Sequence, residues 1–205
     1  MRRVGIILST SLAVTAPALA ETSKMVSQRN QMIEAAGCFA RTAPAMSANL
    51  LALDAEKDRW KKAKQLAQGR FSCFPDSKLA VAVRGDIFYG ELAGAMLERT
   101  PARLDAIAAR GTGAAQRPGT GLSDGQFMIA YSQCLLAAEP GKTAAVLRAP
   151  PGTPAERAAV VAYGETLSDC MPTDISYSMN IPDLRAHLAF AAYRSLLVEG
   201  GKTDA

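Results

Sequence analysis

Four cysteines, Cys38, Cys73, Cys134 and Cys170, fall into two pairs, each separated by about 35 positions. Six residues after each first cysteine comes a proline, Pro44 or Pro140, and two residues after each second one comes another, Pro75 or Pro172. The surrounding phrases recur too. Ser27, Met32, Ile33, Ala48 and Leu51 return, in the same order and register, as Ser123, Met128, Ile129, Ala144 and Leu147. One added residue in the second copy then aligns Cys73-Phe74-Pro75 with Cys170-Met171-Pro172, and four more align Arg84 with Arg185. A recurrence of this length reads as an internal duplication. Four cysteines permit three pairings, and spacing alone does not choose among them. A repeated, self-contained unit favours Cys38–Cys73 and Cys134–Cys170, each bond closing its own copy. On the chain-entropy account a bond over that loop length is worth roughly 4 kcal/mol. The chain has no Cys-x-x-Cys, so the expected role of the cysteines is structural.

A disulfide framework implies an oxidising compartment, and the N-terminus agrees. Arg2 and Arg3 precede an apolar run from Val4 to Val14, and Ala18 and Ala20 stand as Ala-x-Ala before Glu21. This is the pattern of a secretory leader over residues 1–20. The run is far shorter than the roughly 20 residues a bilayer span needs, so no integral membrane segment is expected in the mature chain. Residues 1–20 hold two of the 23 basic side chains and none of the 19 acidic ones. What remains is close to neutral and offers no general electrostatic case for nucleic acid. The basic run from Arg59 to Gln65 is expected to be the solvated face of a helix.

The elements read as helices throughout. Ser123 and Gln126 have the spacing of a capping box, and Phe127, Tyr131, Cys134 and Ala138 then fall on one face, which turns the cysteine inward. Thr153, Pro154 and Glu156 supply a cap, a first-turn proline and a reciprocal acid for a helix expected to continue unbroken to Cys170. The last helix should close on Gly200 and Gly201. No segment shows period-two alternation bounded by turns. The expected fold class is all-α: two tandem, internally duplicated helical bundles, each stapled by one disulfide. The expected division is a leader over 1–20, a first repeat with an extra helix over 21–110, a Gly/Pro-rich linker over 111–122, a second repeat over 123–201 and a tail over 202–205.

Few residues are candidates for chemistry. His187 is the one histidine and aligns with Asp86; a zinc site normally draws on several His and Cys ligands. Glu139 to Thr143, "EPGKT", ends like a phosphate loop, but Leu136 stands where that loop needs glycine, and a helix precedes it. Gly111 to Gln116 fails as a dinucleotide fingerprint for similar reasons. No cofactor or metal set is therefore expected. Asp86 and Glu91 are carboxylates on one helix, but five positions turn them about 140° apart, which argues against joint acid–base work. Arg84 and Arg185 recur with their helices; each is expected to serve a carbonyl or carboxylate between helices, with anion binding as the alternative. The candidate binding surface comprises Arg84, Phe88, Tyr89, Arg185 and His187.

The order "CFARTAP", "CFP" and "RGDIFYGELAGAML" resembles that in a group of small exported, periplasmic alphaproteobacterial proteins with a repeated Cys-x35-Cys-x-Pro helical unit. The likeness covers residues 27–99 and 123–198, with Arg185-Ala186 in place of Arg-Gly in the second copy. The resemblance implies the compartment and a helical, disulfide-bonded build; it brings no activity with it. The expected function is non-catalytic binding of a protein, peptide or envelope component. Alternatives are a hydrolase or transferase with a cleft between the two lobes, and a carrier of a small apolar ligand lined by Met25, Met32, Met96, Phe88 and Tyr193.

Overall fold

Proline sets many of the helix starts. Pro44, Pro101, Pro140 and Pro154 each stand in the first turn of a helix, where the missing N–H has no intrahelical partner to lose. The computed structural model describes residues 16–68, 73, 85–172 and 180–203. Among them the chain is all-α, with ten helices and no strand. These are α1 (Ala16–Thr42), α2 (Pro44–Ala52), α3 (Glu56–Gln68), α4 (Gly85–Glu98) and α5 (Pro101–Ala108), then α6 (Asp124–Ala138), α7 (Pro140–Arg148), α8 (Pro154–Val161), α9 (Thr166–Asp169) and α10 (Ile181–Thr203).

Helices α4 and α10, which the expected repeat would pair, form the central pair of the fold. Helix α1 packs on α4, α6 packs on α10, and α5 lies on α7. Gly90 and Ala186 mark the close approach of the central pair: a Cβ at Gly90 would stand 2.3 Å from the Ala186 carbonyl oxygen. One apolar cluster runs through both halves, from Phe39, Leu50, Leu51 and Leu92 to Tyr131, Leu147, Leu188 and Tyr193. The two stapled units therefore share a core.

Both disulfides close within their own half, Cys38 to Cys73 and Cys134 to Cys170, with Cα separations of 5.4 and 5.8 Å. All four cysteines are bonded. Replacing Cys134 and Cys170 together by serine should lower unfolding stability by about 2–5 kcal/mol. Urea midpoints under non-reducing conditions measure this.

Several expected boundaries shift. The last helix, expected to close on Gly200 and Gly201, continues to Thr203. The helix expected between Thr153 and Cys170 is two pieces, α8 and α9, because Gly164 takes a left-handed φ of 55° between them. The capping box at Ser123 and Gln126 is present. Thr153 also accepts from the Glu156 N–H, but the Glu156 carboxylate does not close the box; it takes the Gly152 N–H at 2.7 Å and Arg29 at 2.9 Å. Residues 111–122 carry no helix, yet they are tied down: the Gly113 N–H donates to the Ala137 carbonyl, and Arg117 donates to Asp169 O. Among the described residues no helix is long and apolar enough to cross a membrane. Most of the expected leader, residues 1–15, lies outside the described residues.

Candidate functional site

The crossing of α4 and α10 leaves a cleft of about 290 Å³ on one side, walled by α3 and the start of α6. Both halves of the chain contribute to it. The first supplies Glu56, Arg59, Asp86 and Tyr89; the second supplies Gln126, Ile129, His187 and Phe190. Two pairs that align in the repeat register face each other here. His187 Nε2 lies 3.7 Å from Asp86 Oδ2, and Tyr89 and Phe190 both lie under the Arg59 guanidinium, at 5.7 and 5.1 Å from the ring centroids.

Arg59 departs from the expected solvated face. It is buried at 6% exposure, while Lys61 two residues on is exposed. The cause is the end of α2 at Ala52: Arg194 donates to the Leu51 and Ala52 carbonyls, and Arg59 Nη1 donates to Leu53 O at 2.7 Å and Asp54 O at 2.8 Å. Burial pulls the guanidinium pKa down and the Tyr89 phenol pKa up, with Arg59 partly offsetting the latter. His187 is 3% exposed, and its Nδ1 lies 2.8 Å from Asp183 O. A carbonyl oxygen only accepts, so Nδ1 donates to it, while Nε2 faces Asp86 Oδ2 at 3.7 Å.

Three of the buried polar atoms that have no hydrogen-bond partner among the described residues belong to this cleft: Tyr89 Oη, His187 Nε2 and Arg59 Nε. Buried polar groups are nearly always paired; His187 Nε2 has Asp86 Oδ2 at 3.7 Å as its neighbour, so Tyr89 Oη and Arg59 Nε are the two that point to a ligand or ordered water. A shallower depression of about 440 Å³, lined by Glu56, Lys57, Gly85, Asp86 and Tyr89, continues outward from it. The polar side chains of the lining are Asp54, Glu56, Arg59, Asp86, Tyr89, Gln126 and His187, a set suited to hydrogen bonding and ion pairing.

Of the five surface candidates, Tyr89 and His187 come together in this cleft. Phe88 does not; it is a core side chain, edge-on to Phe39 at a centroid distance of 6.0 Å. Arg84 lies outside the described residues. Arg185 is 3% exposed and points away from the cleft's lining, into the carbonyl end of α7. It donates to Val146 O at 2.5 Å, to Leu147 O at 3.1 Å and to Ala149 O at 3.1 Å, which is the interhelical carbonyl role expected of it. Asp86 and Glu91 do part company, one in the cleft and one in a buried ion cluster with Arg29, Glu156 and Arg185. Burial raises the Glu91 pKa, with Arg29 and then Arg185 opposing. Its orphan Oε1 and the orphan Nε of Arg29 lie 3.7 Å apart, so here each unpaired atom is the other's neighbour.

Sequence reasoning missed Arg59 and Phe190. The alignment of Tyr89 with Phe190 was the available signal, because it sets two aromatic rings at equivalent places beside Asp86 and His187. No protein-family model, no curated protein and no solved structure matches this chain.

Proposed function

We propose that the protein is an exported, non-catalytic binding module that takes one side chain of a peptide or protein partner into the cleft between α4 and α10. The observation that carries this reading is that Tyr89 and Arg59, each with a buried side-chain atom that has no hydrogen-bond partner among the described residues, line one cleft together with His187. Ligand pockets for whole small molecules run from about 300 to 1,000 Å³, so a cleft of about 290 Å³ suits a side chain better than a drug-sized molecule. The adjoining depression offers a place for the backbone that carries that side chain. Two disulfides and the leader pattern support export to the periplasm.

The apolar-carrier alternative finds less support, since Phe88, Met96 and Tyr193 are packed in the core. The hydrolase or transferase alternative would use His187 or the carboxylates; His187 and Asp86 do meet in the lining, but no feature of the cleft favours a reaction there over binding.

Titrating isotope-labelled protein with a panel of short capped peptides tests the proposal. The expected result is saturable shifts of the His187 and Tyr89 ring resonances with some peptides, abolished by Phe190→Glu at unchanged helicity. No shift with any peptide at millimolar concentration would overturn it.

A further inference from the structure

We infer that the cleft takes a primary carboxamide on an alkyl stem, as in a glutamine side chain, with the amide oxygen held by Arg59 and Tyr89; this rests on the peptide-binding reading above. The charges of the lining are largely engaged within the fold. Asp54 is ion-paired with Arg194, and Asp86 Oδ2 faces His187 Nε2 at 3.7 Å. Arg59 Nη1 serves the Leu53 and Asp54 carbonyls, and its guanidinium lies over the Tyr89 and Phe190 rings. What the lining still has to offer is mostly N–H and O–H. Arg59 Nε, which can only donate, and Tyr89 Oη are both buried and have no hydrogen-bond partner among the described residues. Burial keeps the phenol protonated, so Tyr89 has a hydrogen to give. Gln126 uses its side-chain oxygen on the Ser123 N–H and hydroxyl, so its own contribution to the lining is the NH2 group. Opposite these donors stands one exposed carboxylate, Glu56.

A carboxamide answers both kinds of group at once. Its oxygen has two lone pairs for Arg59 Nε and Tyr89 Oη, and its nitrogen has two hydrogens for the Glu56 carboxylate. An alkyl chain would leave the Arg59 and Tyr89 hydrogens unpaired, which is costly in a buried site. An ammonium would add donors, and a charge of the same sign as Arg59. A carboxylate would accept from both, but would set another negative charge beside Glu56 and Asp86. Being neutral, the amide suits either protonation state of His187. Ile129 and Phe190 give its methylenes an apolar wall.

The test uses the full chain and capped alanine pentapeptides with a central glutamine, norleucine, glutamate or lysine, and His187 ring resonances report occupancy. The glutamine peptide should bind about tenfold more tightly than each of the others, as expected when otherwise unpaired groups gain hydrogen bonds. Tyr89→Phe removes a donor and keeps the ring. It should weaken glutamine binding several-fold, leave norleucine binding unchanged, and leave unfolding stability unchanged or raised, because the lost hydroxyl has no partner in the fold. Glu56→Ala, at an exposed position, should weaken glutamine binding a few-fold and strengthen glutamate binding.

Norleucine, glutamate or lysine binding as tightly as glutamine overturns the carboxamide assignment and leaves the peptide-binding reading standing. A Tyr89→Phe protein that keeps the full glutamine preference does the same. Silence from all four peptides overturns both.

Discussion

Gly90→Ala should destabilise the protein by 3 kcal/mol or more, on the order of the worst overpacking substitutions. The added Cβ would stand 2.3 Å from the Ala186 carbonyl oxygen, 2.4 Å from its carbon and 2.5 Å from its Cβ. Two of those atoms are backbone, so no rotamer change relieves the clash, and α4 and α10 must separate. The opposing effect is helix propensity, which favours alanine over glycine by about 1 kcal/mol in a helix interior. Sterics wins at Gly90, and propensity should win one turn later. At Gly94 the added Cβ meets only Ala189 Cβ, at 3.7 Å, an ordinary contact. Gly94→Ala should therefore be neutral or stabilising by up to about 1 kcal/mol. Denaturant midpoints of the two variants, measured side by side, check the crossing: equal midpoints would mean that α4 and α10 do not approach as closely as described. Because the cleft straddles this crossing, Gly90→Ala should also abolish the His187 ring shifts expected on ligand binding.

Why the class of fold was legible and the site was not is a matter of range. Helix starts at Ser123 and Thr153 depend on contacts three residues apart, and these can be read directly from the chain. The cysteine pairing was read from the recurring phrase around each cysteine pair, and both bonds do close between cysteines about 35 positions apart. The break at Gly164 was not readable, because glycine inside a helical pattern is often tolerated and only the packing of Tyr163 and Cys170 into the core decides otherwise. Arg59 shows the same limit. Its neighbours Lys57 and Lys61 are exposed, as a charged run suggests, yet its own place is fixed by the carbonyls of Leu53 and Asp54 and by two rings, one of them more than a hundred residues away. Polar residues whose partners lie across the fold look, in sequence, like solvated ones.

Glu156 carries the second large expected effect. It is 2% exposed, and its carboxylate accepts from Arg29 Nη2 at 2.9 Å and from the Gly152 N–H at 2.7 Å, with Arg185 Nε at 3.7 Å. Glu156→Ala leaves two largely buried guanidiniums with Glu91 between them and only the half-exposed Glu98, 3.4 Å from Arg185, as a further carboxylate, and removes the acceptor that fixes the turn before α8. Breaking a buried ion pair from one side costs about 3–5 kcal/mol, and that is the loss expected here. Glu91 should behave differently. Desolvation raises its pKa in the folded state, so the proton is held more tightly there than in the unfolded chain. The stability this contributes is complete below the unfolded carboxylate value and is lost as pH rises through the raised folded value. Glu91→Gln keeps the shape without the charge, so it should flatten that loss and cost far less than Glu156→Ala at neutral pH. Urea midpoints from pH 4 to 8 separate the two cases: an equally steep fall for both variants, or a larger loss from Glu91→Gln, would mean that the central carboxylate of the cluster is Glu91 and not Glu156.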